Sequence, residues 1–212
     1  MVYSTRILTM HLKPKQDKNA VVAIGRFSSP TKGHYFLFDK MRKFIRTDKA
    51  KELKISIIPI VVIIDGEETG KDKQKNPLSP HERIKFMQAS GKADGLKFLI
   101  AKNTVDAFNE VRKQGYEPLV IAAGSDRKTN YLKILDETFT DNGKKMTHYA
   151  IRGLDRTDDE STDISATSGT KMREAVINND YERYLDLSGL EHKPELAKQM
   201  FDKLKKVLHG GS

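Results

Sequence analysis

Cysteine is absent from the 212 residues, which excludes a disulfide framework, thiolate catalysis and cysteine-type metal sites. Long hydrophobic runs are missing as well. No apolar stretch approaches the roughly 20 residues that a membrane-spanning helix needs, and the first residues lack the apolar core of a signal peptide. The six histidines fall at no metal-ligand spacing, and there is no internal repeat or low-complexity linker. The expectation is a soluble, cytoplasmic protein: an N-terminal arm over 1–19, one α/β domain over 20–186, and a C-terminal helix and tail over 187–212.

What is present in excess is positive charge. Lys and Arg number 38 against 29 Asp and Glu, a formal net charge of +9. Such a surplus suits a nucleic-acid partner, a site for polyanionic small molecules, or a solvated lysine-rich surface. The lysines are scattered over helical faces and no basic block is interleaved with aromatics as in a single-strand binding platform. A lysine-rich surface around an anion site is the favoured reading, with no membrane partner and with homo-oligomerisation left open.

Residues 20–41 (AVVAIGRFSSPTKGHYFLFDKM) organise the chain. Val21, Val22, Ala23 and Ile24 form an unbroken apolar run that stops at Gly25, the pattern of a strand buried on both faces in a parallel sheet. Phe36, Leu37, Lys40, Met41, Phe44 and Ile45 then recur near helical spacing. A strand, a Gly/Pro turn and a helix place backbone amides and the positive helix end at the carboxyl edge of the sheet, where phosphates bind. Gly33 would let a phosphate approach the backbone, His34 offers a hydrogen bond to negative charge, and Thr31 adds a hydroxyl. Thr31-x-Gly33-His34 alone suits an ordinary helix start with a capping Thr and a surface His, but its place after Gly25-Arg26-Phe27-x-x-Pro30, between a buried strand and an amphipathic helix, favours a phosphate site.

Further buried strands are expected over 54–64 (KISIIPIVVII), 96–101, 118–123 (PLVIAA) and 147–151. Pro59 predicts a bulge, a sheet-edge position or a break within its run. The charged stretch 65–76 reads as a loop at the second strand's end, and Lys71, Lys73 or Lys75 are candidates for a lid over a bound nucleotide. Ser79-Pro80-His81-Glu82 is a helix start with a capping box, Ile84, Phe86 and Met87 being expected on its buried side. Gly124-Ser125-Asp126 follows the fourth strand, where a carboxylate can accept from ribose hydroxyls or cap the next helix. The acidic loop over 153–163 matches no calcium-binding spacing. Ser168-Gly169-Thr170-Lys171-Met172-Arg173 starts a later helix, with hydroxyls, free amides and two cations together. Residues 164–167 (ISAT) offer a competing register. A last amphipathic helix over 194–208 would turn Leu196, Met200, Leu204 and Val207 inward.

Gly25-Arg26-Phe27-x-x-Pro30-Thr31-x-Gly33-His34, Gly124-x-Asp126 and Ser168-Gly169-Thr170-x-x-Arg173 occur in an order that resembles the nucleotidylyltransferase (HxGH/TxGH) superfamily over residues 20–184. The resemblance implies a Rossmann-like parallel sheet with flanking helices and a C-terminal helical extension. It also implies transfer of a nucleotide from an NTP to a phosphorylated acceptor, with magnesium carried by the triphosphate of ATP. By it His34, Thr31, Arg173 and Lys171 would be catalytic, and Gly25, Arg26, Phe27, Gly33, Gly124, Asp126, Ser168, Gly169 and Thr170 would bind nucleotide. Arg83 would contact a substrate phosphate, and Arg26 and Lys32 would stand beside the site. Gly-Arg-Phe and Ser-Gly-Thr-x-x-Arg are most similar to nicotinamide-mononucleotide adenylyltransferases, so NMN is the first acceptor considered. Those enzymes often stack the base on a tryptophan; this chain has none, and Tyr131 is the substitute. Phosphopantetheine adenylyltransferases, cytidylyltransferases and a non-catalytic nucleotide- or nucleic-acid-binding module are the alternatives.

Overall fold

The computed structural model describes residues 18–52, 56–67, 71–138, 140–141, 144–145, 148–152 and 168–210. Residues 1–17 of the expected arm, the acidic loop and the 164–167 register lie outside them, whereas Lys18 and Asn19, assigned to the arm, belong to the first strand. The first strand, β1 (Lys18–Gly25), leads to α1 (Lys32–Phe44), the short α2 (Asp48–Glu52), β2 (Ser56–Ile64), α3 (Pro80–Ala89) and β3 (Lys97–Ala101). Then come α4 (Thr104–Lys113), β4 (Glu117–Ala123), α5 (Ser125–Thr138), a small hairpin of β5 (Thr140–Asp141) and β6 (Lys144–Lys145), and β7 (Tyr149–Arg152). The chain continues through α6 (Gly169–Ile177), α7 (Tyr181–Ser188) and α8 (Pro194–His209).

Five strands pair in parallel in the order β3-β2-β1-β4-β7. This is a Rossmann-like α/β fold. Alternate residues of each central strand serve opposite faces, as the two-residue strand period requires. Val21, Ala23, Val61, Ile63, Val120 and Ala122 pack with α1, α3, α6, α7 and α8, whereas Ala20, Val22, Ile24, Ile60, Val62, Ile121 and Ala123 pack with α4 and α5. Both faces are therefore covered, which explains strands that read as continuous Val and Ile. Each fully buried aliphatic side chain contributes roughly 1.5–3 kcal/mol. The first two crossovers lie on one face and the next two on the other. The connections accordingly diverge between β1 and β4, a topological switch point at the carboxyl edge.

Of the three options for Pro59, the sheet-edge position fits: it stands opposite Val21 in the β1–β2 ladder without a break, and β3 begins pairing only at Ile60, so this end of β2 has no partner on that side among the described residues. Two helix faces change in the fold. In α1 the buried side chains are Tyr35, Phe38 and Met41, with Leu37, Phe44 and Ile45 partly buried. Phe36 instead lies under the Lys40 ammonium, 4.8 Å from its ring centre. In α8 the buried stripe is Ala197, Met200, Phe201, Leu204 and Leu208, with Leu196 and Val207 at its margin.

The C-terminal helices share the sheet's core. Met172, Tyr184, Met200, Phe201 and Leu204 belong to the same buried cluster as Val21 and Phe38. Lys32, at the first position of α1, reaches this region and pairs with Asp186 and, at 3.0 Å, with Glu191. Gly189 closes α7 in a left-handed conformation, φ +67°, where an added Cβ would lie 2.7 Å from Lys32 Cγ and 3.3 Å from Lys32 Cα. Gly189→Ala is therefore expected to lose at least about 1–2 kcal/mol from the backbone alone. Chemical denaturation should show a lower midpoint at unchanged slope; an unchanged midpoint would mean that α1 and this turn separate freely.

Candidate functional site

The β1–α1 turn sits at the switch point, and its residues hold one another. Thr31 caps α1 with its hydroxyl accepting from the His34 amide at 3.4 Å, and the His34 imidazole answers by accepting the Thr31 amide at Nδ1, 3.1 Å away. Sequence reading placed both residues at the helix start; it did not anticipate that His34 itself completes the capping box. An amide can only donate, so Nδ1 is unprotonated and the neutral ring carries its proton on Nε2. Burial, with the positive charge of Arg127 adding to it, lowers His34 to a pKa of about 4. At neutral pH the residue is thus an uncharged hydrogen-bond donor at the positive end of a helix.

Behind the turn lies Arg83. Its side chain is 1% exposed. Nε donates to the Leu78 carbonyl at 2.8 Å and an Nη to the Arg26 carbonyl at 3.0 Å, while the other Nη lies 3.5 Å from Asp65. Burial lowers its pKa from the usual arginine value, with the Asp65 carboxylate opposing that effect and the Arg26 charge adding to it. These partners tie the end of β2 and the start of α3 to the β1–α1 turn. As placed, Arg83 has little surface to offer a substrate phosphate.

The start of α6 meets the same turn. Ser168 caps the helix and accepts the Lys171 amide at 3.2 Å. Gly169 approaches Ser28 so closely that a Cβ would lie 3.3 Å from Ser28 Oγ and 3.4 Å from an Arg173 Nη. Arg173 donates to Thr170 Oγ1 at 3.1 Å and, at 3.4 Å, to the carbonyl of Lys75 in the loop after β2. Its pKa is lowered by burial and then by the charge of Arg26, against the opposing Asp72 carboxylate. Two helix N-termini and the charges of Arg26 and Arg173 accordingly lie near one another, which favours an anion. Lys71, Lys73 and Lys75 are exposed on the neighbouring loop, and Lys75 Nζ pairs with Asp72 at 2.9 Å.

Other expected residues stand elsewhere. Lys32 points its ammonium to Asp186 and Glu191. Tyr131 is 6% exposed in the core beneath α5 and donates its hydroxyl to the Ile24 carbonyl at 3.2 Å, so its ring is no open stacking platform. The Gly124 carbonyl accepts the Arg127 and Lys128 amides at 3.1 and 3.0 Å and begins α5. The side chains of Ser125 and Asp126 lie outside the described residues. Among the described residues no group of three or more His, Asp or Glu is placed to hold a metal ion, and no helix is long and apolar enough to cross a membrane. Ser28 and Arg127 were not anticipated from sequence, and only the packing of α6 and α5 against the turn reveals them.

No family model matches the chain and no curated protein matches it. Among solved structures, a macrolide-efflux protein from Streptococcus pneumoniae is similar at 18% identity and a TM-score of 0.49. The match covers 82% of this chain and 58% of that one, so the chain spans a little over half of that neighbour's length.

The His34 geometry sets a pH dependence. A folded-state pKa of about 4, below the ordinary 6.5, means that stability is fully present above pH 6.5 and is lost as pH falls toward 4. His34→Asn, whose short amide oxygen can accept the Thr31 amide and does not titrate, is expected to show a shallower decline of Tm over that interval. Parallel curves would remove His34 as the titrating group. Arg83→Lys keeps a charge but strands the Leu78 and Arg26 carbonyls, and is expected to lower stability by about 1–3 kcal/mol in urea unfolding.

Proposed function

We propose that the chain is a nucleotidylyltransferase that transfers AMP from ATP to a phosphorylated acceptor, NMN first among the candidates, and releases pyrophosphate. One observation carries the reading. The Thr31-capped start of α1 and the Ser168-capped start of α6 meet across Ser28 and Gly169 at the β1/β4 switch point. A phosphate chain lying there would meet backbone amides, hydroxyls and cations from two directions.

In the reaction an acceptor phosphate oxygen attacks the α-phosphorus, the new P–O bond forms in line, and the bond to the β-phosphate oxygen breaks. The acceptor phosphate already carries the nucleophile, so the chain needs to supply none. Catalysis is then positioning and charge stabilisation. The Nε2–H of His34 would donate to the oxygens on which charge develops, and Thr31 would orient the phosphate. Arg173 and Lys171 would hold the leaving pyrophosphate, Arg173 by exchanging its bonds to Lys75 and Thr170 for phosphate oxygens. Magnesium enters with ATP as part of the substrate and helps to neutralise the triphosphate.

Pyrophosphate release tests this directly, with ATP and CTP each offered against NMN, nicotinate mononucleotide, phosphopantetheine, FMN and glycerol phosphate. Activity with one pair is expected. His34→Asn, which retains the cap and loses the Nε2 donor, should lower kcat by about 10²–10³ with little change in Tm. Arg173→Ala should also lose activity. No release from any pair together with no ATP binding by calorimetry would overturn the proposal. Nucleotide binding without turnover would favour the binding-module alternative.

A further inference from the structure

Phe27 carries an unusual backbone for a bulky residue, with φ at +48°. A large side chain is a genuine outlier in that region and persists only where its surroundings over-determine it. Here they do. The peptide before it is fixed by Arg83 donating to the Arg26 carbonyl at 3.0 Å. The left-handed turn places the ring inside the fold, 4% exposed, with Gly25, Phe38 and His34 among its neighbours. Gly25 lies on one side, so close that a Cβ there would stand 3.1 Å from Phe27 Cε2. Phe38 lies 5.8 Å away between ring centres, and the His34 imidazole lies 4.8 Å away, tilted by 59°.

A ring so enclosed presents almost no surface to a nucleotide, the role that sequence resemblance suggested for it. Its contact with the site is His34. We propose that Phe27 is a positioning residue for His34: its buried ring fixes the imidazole plane and excludes water, so that Nδ1 accepts the Thr31 amide and Nε2 carries the proton. The catalytic consequence rests on the proposed donor role of His34; the positioning itself does not.

The groups acting on the imidazole come from three elements. Thr31 bonds Nδ1 from the helix start, Phe27 covers the ring from the turn, and Arg127 of α5 contributes positive charge. Replacing Phe27 leaves Thr31 and Arg127 in place, so any change in titration isolates the covering ring. Gly25 offers a second approach. Gly25→Ala keeps Phe27 but presses on its ring from behind, where a Cβ at 3.1 Å requires the ring to give by a few tenths of an ångström.

The test is the His34 tautomer and titration by nitrogen-detected NMR in the wild type, Phe27→Leu and Gly25→Ala, each checked for folding by circular dichroism, together with a pH profile of kcat. In the wild type the ring should be a single tautomer protonated on Nε2, titrating near 4. In the variants the titration should move up toward the ordinary 6.5 and the second tautomer should appear. A midpoint raised to about 6 would make kcat at pH 5 about tenfold lower than at pH 8, while the wild-type ratio stays near one. An unchanged tautomer and titration in a folded variant would overturn the positioning role. A shifted titration in a protein with no transferase activity would leave the positioning intact and overturn the proposed function instead. Should Phe27→Leu not fold, Gly25→Ala, with the native Phe27, decides.

Discussion

One buried guanidinium holds together the parts of this protein that matter for its site. Arg83 is almost completely enclosed, yet its donors end on the Leu78 and Arg26 carbonyls with the Asp65 carboxylate nearby. An arginine so placed is costly unless its donors are satisfied, because desolvating a charge without partners is far more expensive than any packing gain it brings. Once they are satisfied, the planar fork becomes a rigid connector with a fixed direction for each bond. Its connections run from α3 to the end of β2 and to the β1–α1 turn. The turn therefore inherits its geometry from two neighbouring elements as well as from its own sequence.

That geometry passes outward through a short chain of contacts. The fixed Arg26 carbonyl leads into the left-handed Phe27, whose ring lies against His34. His34 in turn closes the cap of α1 with Thr31. A capping histidine has a consequence that a capping glutamate would not have. It fills the same structural role while leaving a second nitrogen, with a proton, at the end of the helix. Burial makes the neutral form the resident one, so the helix start offers a donor without adding a full charge. The opposing start of α6 supplies the full charge instead, through Arg173.

The C-terminal helices belong to the same mechanical unit. Lys32 follows the cap directly, and its pairing with Asp186 and Glu191 fastens α1 to the end of α7. Gly189 permits the close approach that this requires. The aromatic contacts of Phe201 with Tyr181 and Tyr184, at 5.3 and 5.1 Å, join α7 to α8. Through these contacts the late part of the chain braces the helix that carries Thr31 and His34.

Much of this was legible from residue order. Unbroken Val and Ile runs of strand length can be buried only in a sheet covered on both faces, and their alternation with helical periods leads to parallel strands. Ser168, Ser79 and Thr31 announce helix starts because their side chains satisfy amides within the next turn, a local interaction that needs no tertiary context. What the sequence could not decide is what depends on elements distant along the chain. Arg83 reads, through the resemblance, as a contact for a substrate phosphate, and its enclosure becomes visible only once β2 and the first turn are in place. Tyr131 reads as an aromatic near a nucleotide site until α5 packs it into the core against the Ile24 carbonyl. The turn between β1 and α1 has a sequence that many conformations would accept. Only the sheet behind it, Arg83 beneath it and α6 across from it select the one in which His34 is held neutral at the end of a helix.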